Sequence, residues 1–157
     1  MLKGLAACAL LAAAQVAHGD VGINLYGASY HFDRDKAKEL GLTHEFNPGL
    51  GVRWRREYSE SWDLFADAGF YRDSKANTAI LFGGGGLWHA TDHLRFGGGL
   101  VLLKSDTYND GKAFAAPAPL AAYEGRHVTF NVVYFPKWRD ANRTNQLGFW
   151  LTFWLSG

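Results

Sequence analysis

The sequence predicts an all-β fold, an eight-stranded antiparallel transmembrane β-barrel of the outer membrane of a Gram-negative bacterium. Three observations predict it. Residues 1–19, MLKGLAACALLAAAQVAHG, read as an export signal. The rest of the chain reads as short strands in which apolar and polar side chains alternate. The last of these, Gln146-Leu147-Gly148-Phe149-Trp150-Leu151-Thr152-Phe153-Trp154, is strongly aromatic. Tilted strands of roughly 9–11 residues cross a bilayer, and eight is the smallest strand number of such barrels.

The signal has a positive start at Lys3, an apolar stretch over Leu5–Ala14 and a small-x-small site at Ala17-His18-Gly19. That stretch is too short to span a membrane, so removal is expected, leaving one domain over residues 20–157. Leu5-Ala6-Ala7-Cys8 looks like a lipoprotein box, but the apolar run before Cys8 falls well short of the roughly 7–15 residues of an export segment. Cys8 is the only cysteine. The mature chain is therefore expected to hold neither disulfide nor thiolate metal site, and to rest on closure and packing alone. A net charge of +1 argues against nucleic acid as a partner. No cofactor and no metal ligands are assigned, and a membrane-integral monomer is expected.

Strands are expected at Val21–Phe32, Phe46–Glu57, Trp62–Arg72, Thr78–His89, Leu94–Lys104, Ala116–Tyr123, His127–Pro136 and Gln146–Leu155. The connections Tyr58–Ser61, Ala90–His93 and Glu124–Arg126 are short; Asp33–Glu45, Ser105–Ala115 and Lys137–Asn145 are longer and more polar, and Asp73–Asn77 is intermediate. Barrels of this kind keep tight turns on the periplasmic side and long loops outside, so the odd-numbered strands run outward.

Alternation separates two faces. One is apolar: Leu64, Ala66, Ala68 and Phe70; Leu94, Phe96, Leu100 and Leu102; Val128, Phe130, Val132 and Tyr134; Leu147, Phe149, Leu151, Phe153 and Leu155. It is expected to meet lipid, with Trp54, Trp62, Trp88, Trp138 and Tyr134 in aromatic girdles. The competing reading is the buried face of a soluble sandwich or lipocalin-like barrel. The other face carries Arg53, Arg55, Glu57, Asp63, Asp67, Arg95, Thr129 and Asn131 near the periplasmic end. Near the outer end it carries Gly49, Gly51, Gly69, Tyr71, Gly83, Gly85, Gly97, Gly99, Val101, Val133 and Phe135. A charge-paired lower lumen would close the barrel, because buried charges must pair. A glycine-lined, apolar upper lumen would hold a hydrocarbon chain, each buried methylene contributing about 0.8 kcal/mol. The alternative is a small barrel filled by its own side chains.

His31 ends the first strand and Asp73-Ser74 ends the third, on the same rim. A histidine, an aspartate and a serine at the mouth of an apolar pocket can make an acyl-transfer site; Asp-Ser is also a common turn dipeptide.

Several segments resemble a known family. Leu25-Tyr26 with Tyr30-His31, Phe70-Tyr71-Arg72-Asp73-Ser74, Ala116-Pro117-Ala118-Pro119-Leu120-Ala121, Gly125-Arg126-His127-Val128-Thr129-Phe130-Asn131 and Tyr134-Phe135-Pro136 are similar, in order and spacing, to the lipid A palmitoyltransferases of the PagP type. The similarity runs from about Leu25 to the C-terminus. It implies transfer of a palmitoyl group from the sn-1 position of a phospholipid donor to a hydroxyacyl chain of lipid A. It also implies catalytic His31, Asp73 and Ser74, with His31 as base, Asp73 supporting it, and Ser74 as oxyanion donor or nucleophile. Gly85 matches the family's floor of the acyl pocket, beside Gly83, Gly99 and Val101, so Gly85→Met is expected to shorten the transferred chain. Two features depart from the family. The amphipathic helix that precedes the barrel is missing, and Tyr26 stands where those members have the first-strand proline that opens a lateral gap; Pro136 remains on strand seven. A non-catalytic structural or interaction barrel is the alternative function. A lipid A deacylase barrel is a third, without a His-x-Ser pair near the last strands to favour it.

Overall fold

The computed structural model describes residues 19–138 and 141–155. Residues 1–18 of the expected export signal, with Lys3, Cys8 and His18, lie outside the described residues. Eight antiparallel strands form one closed barrel in sequence order. They are β1 (Asp20–His31), β2 (Phe46–Ser59), β3 (Trp62–Arg72), β4 (Thr78–His89), β5 (Leu94–Lys104), β6 (Phe114–Glu124), β7 (Val128–Phe135) and β8 (Gln146–Trp154). The alternation thus locates all eight strands, with β3, β4 and β5 at the expected bounds. β6 starts earlier than its residue pattern suggests, because the ladder with β5 runs on to Leu103 opposite Phe114. β7 stops at Phe135, which leaves Pro136 in the following loop.

The first long loop is not wholly irregular. It contains a short helix, α1 (Arg34–Glu39), whose N-cap Asp33 accepts a hydrogen bond from the Lys36 backbone N–H. Ala37 within it and Leu42 after it are buried. An N-cap aspartate is the local signal that marks the helix.

The expected apolar face is on the outside. Leu64, Phe70, Phe96, Leu100, Leu102, Phe130, Leu151 and Phe153 are exposed, as are Leu50, Val52, Ile80 and Phe82 on β2 and β4. Phe82 is 63% and Leu100 65% exposed. An apolar surface that encircles the protein far exceeds the patches soluble monomers tolerate; hydrocarbon is the solvent that suits it. Trp62 and Trp88 are cross-strand partners at the lower rim of this belt.

Polar side chains close the lower lumen. The Arg53 guanidinium donates to both Asp67 carboxylate oxygens, at 2.8 and 2.6 Å, and to Asn131 Oδ1 at 2.8 Å. Asn24 donates to Asp67, Thr152 to Asn24, and Asn131 to Thr152, which completes a ring through five strands. All five side chains are buried, and the guanidinium also lies against the Phe65 and Trp150 rings. Nearer the periplasmic end, Arg55 pairs with Asp20 and Glu124, Arg95 with Glu124, and His89 with Asp63. Glu57, expected in this set, is exposed beyond it.

The upper lumen divides into two sectors. On one side the Tyr26 ring lies against β2 and β3; a Cβ on Gly51 or Gly69 would stand 2.8 Å from the Tyr26 hydroxyl. Those glycines make room for a tyrosine, not for a ligand. On the other side the lumen is empty.

Candidate functional site

The empty sector is an apolar cavity with its mouth at the outer end, where Ser74 and Gln146 line it. Gly83, Gly99, Val101, Ala118, Leu120 and Val133 line its sides. Phe65 and Trp150 line it deeper, with Asp67 of the polar ring beneath.

Gly85 requires a correction. It faces inward but does not line the cavity; its cross-strand partner Phe65 does. A Cβ on Gly85 would fall 2.1 Å from the Gly98 carbonyl oxygen. A larger residue there would push on β5 before shortening any pocket, so the expectation for Gly85→Met does not carry over. Gly83, Gly99 and Val101 do line the cavity.

His31 reaches the lumen because β1 contains a bulge. Asn24 and Tyr26 point inward on even positions, and a register shift between Tyr26 and Ala28 turns Ser29 and His31 inward on odd ones. An unbroken strand would aim His31 at lipid, since one residue of slip exchanges the faces. Gly27 within a strand was the available signal, as interior glycine often marks a bulge.

The bulge brings His31 to Ser74. Nε2 of His31 lies 2.9 Å from Ser74 Oγ, and Nδ1 lies 2.8 Å from Thr144 Oγ1. Ser29 Oγ is 3.3 Å from Ser74 Oγ. His31, Ser74 and Thr144 are each 2% exposed, and Ser74 lines the cavity mouth. Buried polar groups at this depth need partners, and these have them.

Asp73 is adjacent but committed elsewhere. Its Oδ1 accepts from the Lys75 and Asn77 backbone N–H groups, and its Oδ2 accepts from the Ser105 hydroxyl. No hydrogen bond or ion pair joins it to His31 among the described residues. It folds the β3–β4 loop into an Asx-type turn that presents Ser74. Ala76 in this turn has a φ of 61°, a conformation that costs an L-residue roughly 1–2 kcal/mol. The Ser74 carbonyl accepts from His44 N–H, which ties the turn to the first loop.

Thr144, Tyr108 and Gln146 were not singled out in the sequence. Tyr108 is buried in the β5–β6 loop and Gln146 opens β8 opposite His31; both line the cavity. Burial foremost, then the Asp73 charge, pushes the Tyr108 hydroxyl up to about 12.

Beside the cavity the barrel wall is not paired along its whole height. The β6–β7 ladder runs from Glu124–Thr129 up to Leu120–Val133 and stops. Above it β6 carries Pro117 and Pro119, which lack a donor for a ladder. At Tyr26, by contrast, β1 pairs with both Gly49 and Trp150. The unpaired stretch of wall therefore lies between the outer ends of β6 and β7.

Fold and belt together define an integral membrane β-barrel with an internal apolar cavity. No family model matches the chain, and no curated protein matches it. Among solved structures it is similar to a de novo designed transmembrane β-barrel, with a TM-score of 0.57 and 13% identity over 87% of this chain and 96% of that one. A second design, TMB2.3, solved by NMR, gives 0.53 and 17% over 88% and 98%. Ail of Yersinia pestis, in complex with the heparin analogue sucrose octasulfate, gives 0.41 and 10% over 88% and 99%. At these identities the likeness to the designs is one of fold.

Proposed function

We propose that this chain is an outer-membrane acyltransferase that moves a palmitoyl group from the sn-1 position of a phospholipid to a hydroxyacyl chain of lipid A. One observation carries the reading: a buried His31–Ser74 pair at the open end of an apolar cavity whose other end is sealed by a polar ring. The segments that resemble the lipid A palmitoyltransferases support it. The comparisons with solved structures supply a barrel and no acyltransferase, and taken alone they favour the second reading, a small structural or interaction barrel.

In the proposed reaction the donor's acyl chain enters between β6 and β7 and lies in the cavity, with its ester carbonyl at Ser74. With Nδ1–H donated to Thr144, Nε2 of His31 accepts the Ser74 proton as Oγ attacks. The ester C–O bond breaks, and His31 returns that proton to the departing glycerol oxygen. The lipid A hydroxyl then gives its proton to His31 as its oxygen takes the acyl group from Ser74, and His31 passes that proton to the freed Ser74 Oγ. Asp73 serves by shaping the turn. The sealed lower lumen keeps bulk water from the acyl chain.

The test uses the purified, folded barrel in mixed micelles with phospholipid labelled in its sn-1 chain and lipid A as acceptor. Label is expected to move to lipid A, and His31→Ala is expected to cut the rate by roughly 10²–10⁴-fold, with Ser74→Ala similarly impaired. A folded barrel that moves no label would leave the structural-barrel reading standing.

A further inference from the structure

We propose that a pocket between the outer ends of β6 and β7 receives the acceptor lipid as an N-acylated amino sugar, with Gln146 Oε1 accepting from its amide N–H and Asn142 Oδ1 from a sugar hydroxyl. The inference rests on the acyl-transfer reading and adds the linkage that the acceptor chain must have.

The pocket lies at the unpaired stretch of wall. Ala116 and Pro117 of β6, Phe135 of β7 and Trp138 of the last loop line it, with Asn142 and Gln146. The neighbouring ladders reach the rim, for β5–β6 pairs Leu103 with Phe114 and β7–β8 pairs Phe135 with Gln146. The β6–β7 ladder stops lower, at Leu120 opposite Val133. Phe135 and Gln146 also line the apolar cavity whose mouth carries Ser74, so the two spaces share a wall.

Two buried carboxamide oxygens of this pocket lack partners. Asn142 is 5% and Gln146 7% exposed, and Asn142 Oδ1 and Gln146 Oε1 accept no hydrogen bond among the described residues. The Asn142 carboxamide is oriented by its Nδ2, which donates to the Pro136 carbonyl at 2.9 Å and leaves Oδ1 as the unmatched atom. A buried acceptor without a donor costs the desolvation of its lone pairs, so a pair of them selects a ligand that brings donors. None of the described lining residues is charged, and an ammonium buried there would lack a counter-charge. The fitting donors are therefore neutral, and the apolar remainder of the lining suits hydrocarbon. A neutral N–H joined to a hydrocarbon chain is an amide, and an amino sugar acylated on nitrogen carries hydroxyls beside it. Gln146 stands opposite His31 in the β1–β8 ladder. An amide N–H held by Gln146 Oε1 thus brings the hydroxyl of the same chain to the His31 side, where its proton passes to His31 and its oxygen takes the acyl group. An ester-linked chain has an oxygen in place of that N–H and would set lone pair against lone pair.

The experiment follows transfer of label from dipalmitoyl phosphatidylcholine by the folded, purified barrel in micelles. Its acceptors are lipid A, glucosamine bearing a 3-hydroxytetradecanoyl chain on nitrogen, and glucose bearing the same chain on its 2-oxygen. Wild type is expected to favour the amide over the ester by roughly 10–100-fold in kcat/KM, the range that an unpaired buried acceptor costs. Gln146→Met is expected to bring that ratio close to one, with rate lost on the amide and gained on the ester; a general loss of structure would give no gain. Asn142→Leu is expected to lower kcat/KM for both acceptors alike and to keep the ratio. Equal wild-type rates on amide and ester overturn the inference and leave the acyl-transfer reading intact, as does transfer to lipid A with neither small acceptor used. An unchanged ratio in Gln146→Met also overturns it, and unchanged rates in Asn142→Leu overturn the part given to Asn142. A wild-type barrel that acylates none of the three overturns both readings. Should Gln146→Met not fold, Gln146→Leu takes its place.

Discussion

The two halves of the lumen are built from opposite materials. Below, Arg53, Asp67, Asn24, Thr152 and Asn131 fill the barrel with a closed ring of mutually satisfied polar groups. Above, glycines and small apolar residues leave one sector empty, and polar groups gather again only at the outer rim. A barrel that needed only to fold could repeat either solution along its whole length. The contrast teaches that the seal and the cavity are separate devices: one closes the barrel with paired polar groups, the other leaves an apolar space whose mouth carries the His31–Ser74 pair.

The largest stability effect should come from breaking the seal. Asp67→Ala leaves Arg53 buried and uncompensated, so unfolding by urea in vesicles is expected to show a loss of about 3–5 kcal/mol. A loss below about 1 kcal/mol, on the scale of exposed pairs, would mean that water already reaches the ring. Filling the cavity sharpens the comparison from the other side. Ala118 lines the empty sector of β6. Ala118→Phe should shift the transferred acyl chains toward shorter ones, at an overpacking cost of roughly 1–3 kcal/mol; an unchanged chain-length profile would show that the acyl group lies elsewhere. The smallest effect belongs to Thr144. It accepts where a carboxylate would hold a charged imidazole more strongly, so Thr144→Val removes one neutral hydrogen bond. A rate loss of about tenfold is expected, matching about 1.4 kcal/mol, against the far larger loss in His31→Ala. Equal losses would instead make Thr144 indispensable for setting the tautomer.

Much of this contrast was legible in the residue pattern. Period-two alternation is a strong signal, and it located the strands, the lipid face and the polar lower register. The rim residues His31 and Ser74 were also legible, through their place at the ends of outward-running strands. What the pattern hid depends on contacts between distant segments. The β1 bulge changes which face His31 presents, and no local propensity specifies its position. Tyr26 lies across Gly51 and Gly69, so part of the glycine lining serves a side chain, not a cavity. Gly85 matched the floor position of the family it resembles, and neither that match nor its inward register shows that Phe65 opposite it lines the lumen at that level. Tyr108 sits in a loop whose path no periodicity describes, and the partners of Asp73 are set by the turn it begins.

Mass spectrometry of lipid A, from cells with and without this protein and with His31→Ala as control, tests the central claim most directly. The account predicts a gain of one palmitoyl mass on lipid A that disappears in the His31→Ala cells. No gain, from a barrel shown to be folded and inserted under membrane stress, would contradict it and return the molecule to the structural barrels.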